Sequence, residues 1–386
     1  MAFVEDCARI YKDVYQTDQW IALHEPWFGG REKEYVLDCV QTRWVSSVGA
    51  YVDRFQKELA EYTGAPFCIP TSSGTTALHL SLLGLEVGHN DLVICQDLTF
   101  VATAAAICHS GAEPLFLDVE SQSMSLCPKT LERYLETQTT LDTKGIRRDL
   151  ATQKRVAACM VMHTVGFAAQ IQDIKNICEN YQVLLLEDAA EALGSSVDNR
   201  MCGTWGQAGI YSFNGNKVMT AGGGGALVTH DETLAKKCHH LATTAKIPHP
   251  WKYEHDDIGF NYRMPNLNAA LAVAQLENLD VILQKKKEQG QKILCELETC
   301  GYPVVYPPSG DWNFWFLMVR CPQEKQEEWI QNLAHMNVMA RPLWQPVSSM
   351  KPYEKYPKPW QTTQSLRLSK EILCLPNGIP THDSLK

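Results

Sequence analysis

The 386-residue chain has no C-x-x-C pair among its fourteen cysteines, no apolar run of 18 residues and no excess of positive charge. Each absence excludes a class of protein. The closest cysteines, Cys295 and Cys300, have four residues between them, so neither a zinc site nor a dithiol redox centre has support in the spacing, and no metal site is expected. Cys68, Cys95, Cys108, Cys159 and Cys374 fall in apolar segments, where a free thiol packs as a small hydrophobe. No segment is long and apolar enough to predict a membrane helix. The first residues carry Glu5 and Asp6 where a signal peptide would be basic, so the expected compartment is the reducing cytoplasm. A formal charge of −9 and a pI of about 5.8 argue against a nucleic-acid partner, which normally meets a basic face. There is no internal repeat, no low-complexity tract and no G-x-x-x-x-G-K-[ST] nucleotide loop.

What is present has the texture of an enzyme with a sizeable core: 45% hydrophobic and 20% charged residues over a length that suits two lobes. Tyr51–Tyr62 sets Val52, Phe55, Leu59 and Tyr62 on one helical face and stops at Gly64. Strands are predicted at Pro66–Thr71, Asp91–Gln96, Pro114–Val119, Arg155–Met162, Gln182–Glu187 and Ala208–Phe213. Helices are predicted at Thr76–Leu85, Thr103–His109, Pro128–Glu136 and Ile171–Asn180. This alternation predicts an α/β fold, a mostly parallel sheet covered by helices on both faces. After Asp231 the texture changes. Ala245–Asp257 reads as a long ordered loop, Leu267–Gln289 as one helix, Phe314–Val319 as a strand and Glu324–His335 as a helix. Residues 14–247 are expected to form a large domain and 248–386 a small α+β domain, with residues 1–13 packing on the small domain or at a subunit contact.

Four features between Thr71 and Gly225 carry chemistry. Thr71-Ser72-Ser73-Gly74-Thr75, at a strand-to-helix junction, offers free amides and hydroxyls for a phosphate, although taken alone plain helix capping is the commoner reason for such a motif. Leu184–Glu191 (L-L-L-E-D-A-A-E) is a buried strand ending in acids; a buried carboxylate there calls for a cationic partner such as a protonated ring nitrogen, and a helix N-cap aspartate accounts for it equally well by itself. Ser212–Gly225 (S-F-N-G-N-K-V-M-T-A-G-G-G-G) places Lys217 between a serine and four glycines, a backbone run kept where chain must turn or approach closely. Phe100 follows a strand and is suited to stack on a planar ring. A lone lysine is ordinarily a solvated surface residue. A phosphate cradle, an acid, a stacking ring and a Schiff-base lysine together describe a site for pyridoxal 5′-phosphate (PLP), with Lys217 as the imine-forming amine and Asp188 as the partner of the pyridinium nitrogen.

These residues, with W-V-S-S-V-G-A-Y-V-D-R-F from Trp44, D-L-T-F-V-A-T-A from Asp97, G-F-N-Y-R-M-P-N-L-N-A-A-L from Gly259, R-P-L-W from Arg341 and L-P-N-G from Leu375, resemble the DegT–StrS sugar-nucleotide aminotransferases. That resemblance spans nearly the whole chain and implies the fold-type I PLP architecture. S-F-N-G-N-K, T-T-A-K-x-P-H-P-W and A-C-M-x-M-H-T are similar to the LegC branch, which aminates the 4-keto carbon of a UDP-linked 2-acetamido-2,6-dideoxy-hexos-4-ulose for surface glycans of the bacillosamine and legionaminic acid type. Carried over, the resemblance assigns Gly74, Thr75 and Ser212 to the phosphate, Phe100 to ring stacking and Glu191 to the cofactor's 3′-hydroxyl. It gives Asn261 to the phosphate of a neighbouring subunit, hence a homodimer with shared sites. Trp44, Ser46, Ser47, His163, Arg263 and Arg341 are implied substrate contacts, and L-glutamate the amino donor. The chain departs from the branch at Phe167-Ala168-Ala169-Gln170, where His-Pro and an acid are usual, and at Arg31, where an asparagine is common. Other readings on the same fold are a dTDP- or 3-keto-sugar aminotransferase, a 3-dehydratase, against which Lys217 speaks directly, and a non-catalytic PLP-binding or sugar-sensing regulator.

Overall fold

The computed structural model describes residues 2–380. Its helices are α1 (Ala2–Tyr15), α2 (Glu32–Thr42), α3 (Ala50–Thr63), α4 (Gly74–Gly84), α5 (Val101–His109), α6 (Pro128–Thr137), α7 (Ile171–Tyr181), α8 (Glu232–Ala242), α9 (Asn266–Glu277), α10 (Leu279–Thr299), α11 (Gln326–His335) and α12 (Thr363–Glu371). The strands are β1 (Phe67–Thr71), β2 (Asp91–Gln96), β3 (Glu113–Leu117), β4 (Thr139–Leu141), β5 (Arg147–Asp149), β6 (Arg155–Met162) and β7 (Leu184–Asp188). They continue with β8 (Ser196–Val197), β9 (Arg200–Met201), β10 (Ala208–Ser212), β11 (Gly225–Thr229), β12 (Leu317–Arg320), β13 (Arg341–Pro342) and β14 (Ile372–Leu375).

Near-continuous apolar runs make strands that are buried on both faces. In β2, Val93 and Cys95 face the cluster built by α4, α5 and α8, while Leu92 and Ile94 face the one built by α6 and α7, as the two-residue repeat of a strand requires. The main sheet runs β1-β11-β10-β7-β6-β2-β3, with the β4–β5 hairpin attached at β6. β10, β7, β6, β2 and β3 are mutually parallel. β11 is antiparallel to both its neighbours, β1 and β10. The mostly parallel sheet expected from the alternation of elements is therefore present, and the reversal at β11 follows from the loop that returns the chain from β10.

A second, antiparallel sheet, β12-β14-β13, lies in the C-terminal part. α1 packs on α10 and α11; Phe3 stacks on Trp329 at 4.0 Å, and the Tyr11 hydroxyl donates to the Pro376 carbonyl at 2.9 Å. α9 packs against α2 and α3.

Two expectations need correction. The single helix over Leu267–Gln289 is two helices, because Asn278 leaves helical geometry (φ −107°, ψ 6°) and its side-chain amide donates to the Ala274 carbonyl at 3.0 Å. An asparagine that bonds its own turn in this way competes with the helix ladder. The strand expected from Phe314 begins at Leu317, because Phe314 has φ 52°, outside any strand geometry.

Candidate active site

The carboxyl ends of β1, β2, β6, β7 and β10 open on one cavity of about 840 Å³, in the range of small-molecule sites. Ligand sites in parallel sheets form at these strand ends because the loops leaving them converge. On one side α4 begins. Ser73 caps it, accepting from the Thr76 N–H at 3.1 Å, while Thr76 Oγ1 accepts from the Ser73 N–H at 3.1 Å. That box leaves the Gly74 and Thr75 amides without an acceptor among the described residues, at the positive end of the helix dipole. Ser212 ends β10 beside them: a Cβ on Gly74 would stand 3.0 Å from the Ser212 Cβ.

The Lys217 cassette closes as a loop tied at Phe213, whose N–H donates to the Gly224 carbonyl and whose own carbonyl accepts from the Ala221 N–H, both at 2.9 Å. The glycine run has two distinct duties. Gly222 (φ 72°) and Gly224 (φ 134°) turn the chain through left-handed space. Gly225 lets β11 press on the start of α4, since a Cβ there would fall 2.5 Å from the Gly74 nitrogen.

Across the cavity stand the acids and the lysine. Leu185 and Leu186 are buried, each contributing about 1.5–3 kcal/mol, which helps offset the cost of the carboxylates that follow them in β7. Glu187 is structural: its carboxylate accepts from the Gly203 and Gly206 N–H groups, both at 2.8 Å, and contacts His163 Nε2 at 3.0 Å. Asp188 accepts from the Thr103 hydroxyl at 2.7 Å and the Ala190 N–H at 3.2 Å. Burial raises its pKa against the pull of those donors and of Lys217. Glu191 accepts from the Val165 N–H at 2.9 Å and meets Lys217 Nζ at 3.4 Å. The Lys217 ammonium also lies 4.3 Å from the Trp315 ring centroid, a cation–π contact that holds the side chain against the wall.

Burial, reinforced by the Asp188 charge, pushes the Glu191 carboxyl up to about 7 against Lys217 and the Val165 N–H. Between the ordinary value of 4.5 and about 7 the folded chain retains a proton that the unfolded chain has lost. Stability from this group is therefore full below the unfolded value and declines as pH rises toward 7, by roughly 3 kcal/mol at most. Thermal melts of cofactor-free protein should show Tm falling from pH 5 to 7. Glu191→Gln should flatten that slope, and parallel curves for the two proteins would contradict the assignment.

Of the residues singled out in the sequence, Gly74, Thr75, Phe100, Asp188, Glu191, Ser212, Lys217 and Arg341 line this one cavity. Phe100 is half-exposed and packs edge-on against Trp344, with centroids 6.4 Å apart. The others lie elsewhere in the chain as described. His163 is buried behind the cavity: the Ala169 N–H donates to its Nδ1 at 3.1 Å, which leaves the ring proton on Nε2 to donate to Glu187. Trp44 is exposed and Ser46 sits beside it, their carbonyls accepting from the Asn266 side chain and N–H, each at 2.7 Å; Ser47 is half-buried next to them. Arg263 bridges to Thr71 and Asn261 to Thr243, so the strand-like segment between them runs along the phosphate-loop side, with Asn261 exposed. Sequence reasoning missed His24, Thr103, Val165, Trp315 and Trp344. Only Thr103 carried a usable signal, a hydroxyl one helical turn beyond Thr99; the others come from remote segments.

Residues 28–383 match the DegT/DnrJ/EryC1/StrS aminotransferase family. The chain is a member of that family. It is 35% identical over 365 residues to EpsN of Bacillus subtilis (strain 168), covering 93% of this chain and 91% of that one. It is 33% identical over 344 residues to the GDP-perosamine synthase of Escherichia coli O157:H7, covering 88% and 89%. Among solved structures, the aminotransferase TlmJ from Streptoalloteichus hindustanus superposes with a TM-score of 0.83 at 25% identity, each chain covered to 93%. The protein is thus a PLP-dependent sugar aminotransferase with the fold-type I architecture.

The aminotransferase site fits that cofactor on its own observations. The Gly74 and Thr75 amides, free of protein acceptors, with Ser212 beside them, suit the phosphate. The buried Asp188 carboxylate, oriented by Thr103 and Ala190, suits the pyridinium nitrogen. Lys217 would supply the amine, and Phe100 with Val165 and Met162 supplies apolar wall. No helix among the described residues is long and apolar enough to cross a membrane, and none of their His, Cys, Asp and Glu side chains form a group placed to hold a metal ion.

Proposed function

We propose that this aminotransferase moves an amino group from L-glutamate to C4 of UDP-2-acetamido-2,6-dideoxy-hexos-4-ulose, giving a UDP-linked 4-amino sugar for surface glycan synthesis. The observation that carries the reaction is Lys217 Nζ, 3.4 Å from Glu191 and across the same cavity from Asp188. The donor becomes 2-oxoglutarate and the sugar's carbonyl oxygen is replaced by the amino group, so the two halves balance with no external oxidant or reductant. PLP, when bound, supplies the electron sink for the carbanion at the reacting carbon. Asp188, buried and held by two donors, keeps negative charge at a fixed point. Lys217 carries the proton to and from the reacting carbon, work worth about 10²–10⁴-fold in rate. Glu191 and the Trp315 ring limit where its ammonium can rest.

The UDP and 4-keto assignment is supported by the cassette S-F-N-G-N-K and by T-T-A-K-x-P-H-P-W. A second reading, a GDP-linked keto sugar, is favoured by the similarity to GDP-perosamine synthases. An epimeric hydroxyl in a pocket is worth only about 1–3 kcal/mol of selectivity, so direct assay decides between them. Amino transfer measured over UDP-, dTDP- and GDP-linked 4-keto sugars should favour the UDP-2-acetamido form by at least tenfold in kcat/KM. Equal rates on all three, or preference for the GDP sugar, would overturn the UDP assignment.

The same reading includes a cytoplasmic homodimer. Its support is a set of exposed apolar side chains, Trp44, Val48, Trp251, Tyr253 and Ile258, together with the exposed Asn261. Sedimentation at micromolar concentration checks the dimer.

A further inference from the structure

His24 lines the cavity and takes no part in the chemistry above. Its segment is held on both sides. The Ile21 N–H donates to the Asn337 carbonyl at 2.8 Å, and the Met339 N–H donates back to the Ile21 carbonyl at 2.9 Å. The Asn377 N–H donates to the Leu23 carbonyl at 3.2 Å, and a Cβ on Gly378 would stand 3.0 Å from the Glu25 nitrogen. Asn377 is itself locked: its side chain donates to the Lys286 and Phe314 carbonyls at 3.2 and 2.7 Å. The strap that carries His24 is thus fixed to the segment leading into Trp315, whose ring touches Lys217.

The imidazole itself is unpaired. Nδ1 is enclosed without a hydrogen-bond partner, and no partner for either ring nitrogen occurs among the described residues. Nε2 also lacks a partner but is not enclosed, so it is the nitrogen that a molecule in the cavity can bond. We propose that His24 is a positioning residue for the keto sugar, hydrogen-bonding a hydroxyl or acylamino group of the sugar ring and so orienting its carbonyl carbon toward Lys217. Burial first, and then the charges of Lys286 and Lys217, hold the ring well below its ordinary pKa, so it is neutral with one donor and one acceptor. With Nδ1 enclosed, the sugar meets Nε2, and a hydroxyl or an amide can donate to it or accept from it in either tautomer. The fixed charge of Arg341 on the same cavity wall suits the carboxylate of the amino-acid donor better than this neutral ring does.

The inference rests on the sugar-aminotransferase function proposed above, and the half-reactions test it separately. Loaded wild type, His24→Phe, His24→Ala and His24→Gln are followed in the visible, first with L-glutamate alone. The glutamate-reacted enzyme is then mixed with whichever UDP-, dTDP- or GDP-linked 4-keto sugar the wild type converts fastest. The phenylalanine and alanine variants should retain the visible band, react with glutamate within about threefold of wild type, and lose about 5- to 100-fold in kcat/KM on the sugar side. His24→Gln, which restores a donor and an acceptor, should recover part of that loss. If the phenylalanine variant matches wild type with the sugar, or if both half-reactions and the band fail together in all three variants, His24 does not position the sugar. Should wild type convert none of the sugars, the proposed function falls and the inference with it.

Discussion

Lys217→Ala is expected to lose sugar transamination by at least about 10²–10⁴-fold, and to lose the visible band that borohydride would otherwise fix on residue 217. On the proposed function the alanine would remove three things together: the amine that joins the cofactor, the proton carrier, and the cation that offsets Glu191 at 3.4 Å. Lys217→Arg separates them. Arginine keeps the charge beside Glu191 and Trp315 and stays protonated at any working pH, so it can neither form the bond to the cofactor nor accept the proton. It should fold with near wild-type Tm and be as inactive as the alanine variant. Substantial activity in either protein would refute the role given to Lys217.

Asp188→Asn is the second large effect, and it should separate activity from stability. The carboxylate sits at 2% exposure with donors from Thr103 and Ala190, and burial raises its pKa. Without the cofactor, an ionised Asp188 therefore costs the fold above its ordinary titration range, and a neutral amide of the same shape removes that cost. Cofactor-free Asp188→Asn should melt at or above the wild-type temperature at pH 8. The loaded enzyme should lose at least about 10- to 150-fold in kcat/KM, the equivalent of one charge-assisted hydrogen bond of 1.5–3 kcal/mol. A variant that melts lower and remains active would mean that the acid serves packing. Stability given up locally for chemistry is the expected signature of a working site.

The two variants draw on features of different legibility. Lys217 stood out because its neighbours were unusual: four glycines and a preceding strand make a local signal that survives without any tertiary contact. Asp188 stood out because a leucine run ending in acids is costly to bury unless something pairs with it. β2 and β6 have the predicted ends, Asp91–Gln96 and Arg155–Met162, since their apolar runs are bounded by polar residues. No helix is predicted at α8, yet its signals are local: Asp231 caps it by accepting from the Thr233 and Leu234 N–H groups, and Leu234, Ala235, Cys238, Leu241 and Ala242 recur at helical spacing on its buried face. The single helix assigned to Leu267–Gln289 hid a break, since the apolar spacing runs on through Asn278 and only that side chain's bond to Ala274 interrupts it. His163, a substrate contact only by the family resemblance, is bonded behind the cavity to Glu187 and Ala169.

By itself the sequence determined what is local: the parallel α/β body, from strand and helix periodicities, and the set of groups suited to PLP, from residue type and immediate context. Tertiary structure alone decided which distant groups meet them. Thr103 is 85 residues from the Asp188 it orients, and Trp315 and His24 reach Lys217's cavity from the segment leading into β12 and from the N-terminal strap. Nothing in a pentapeptide around His24 or Trp315 announces this. Their positions are set by the packing of α10 and Asn377 against the rest of the chain, a long-range outcome that local periodicity does not encode.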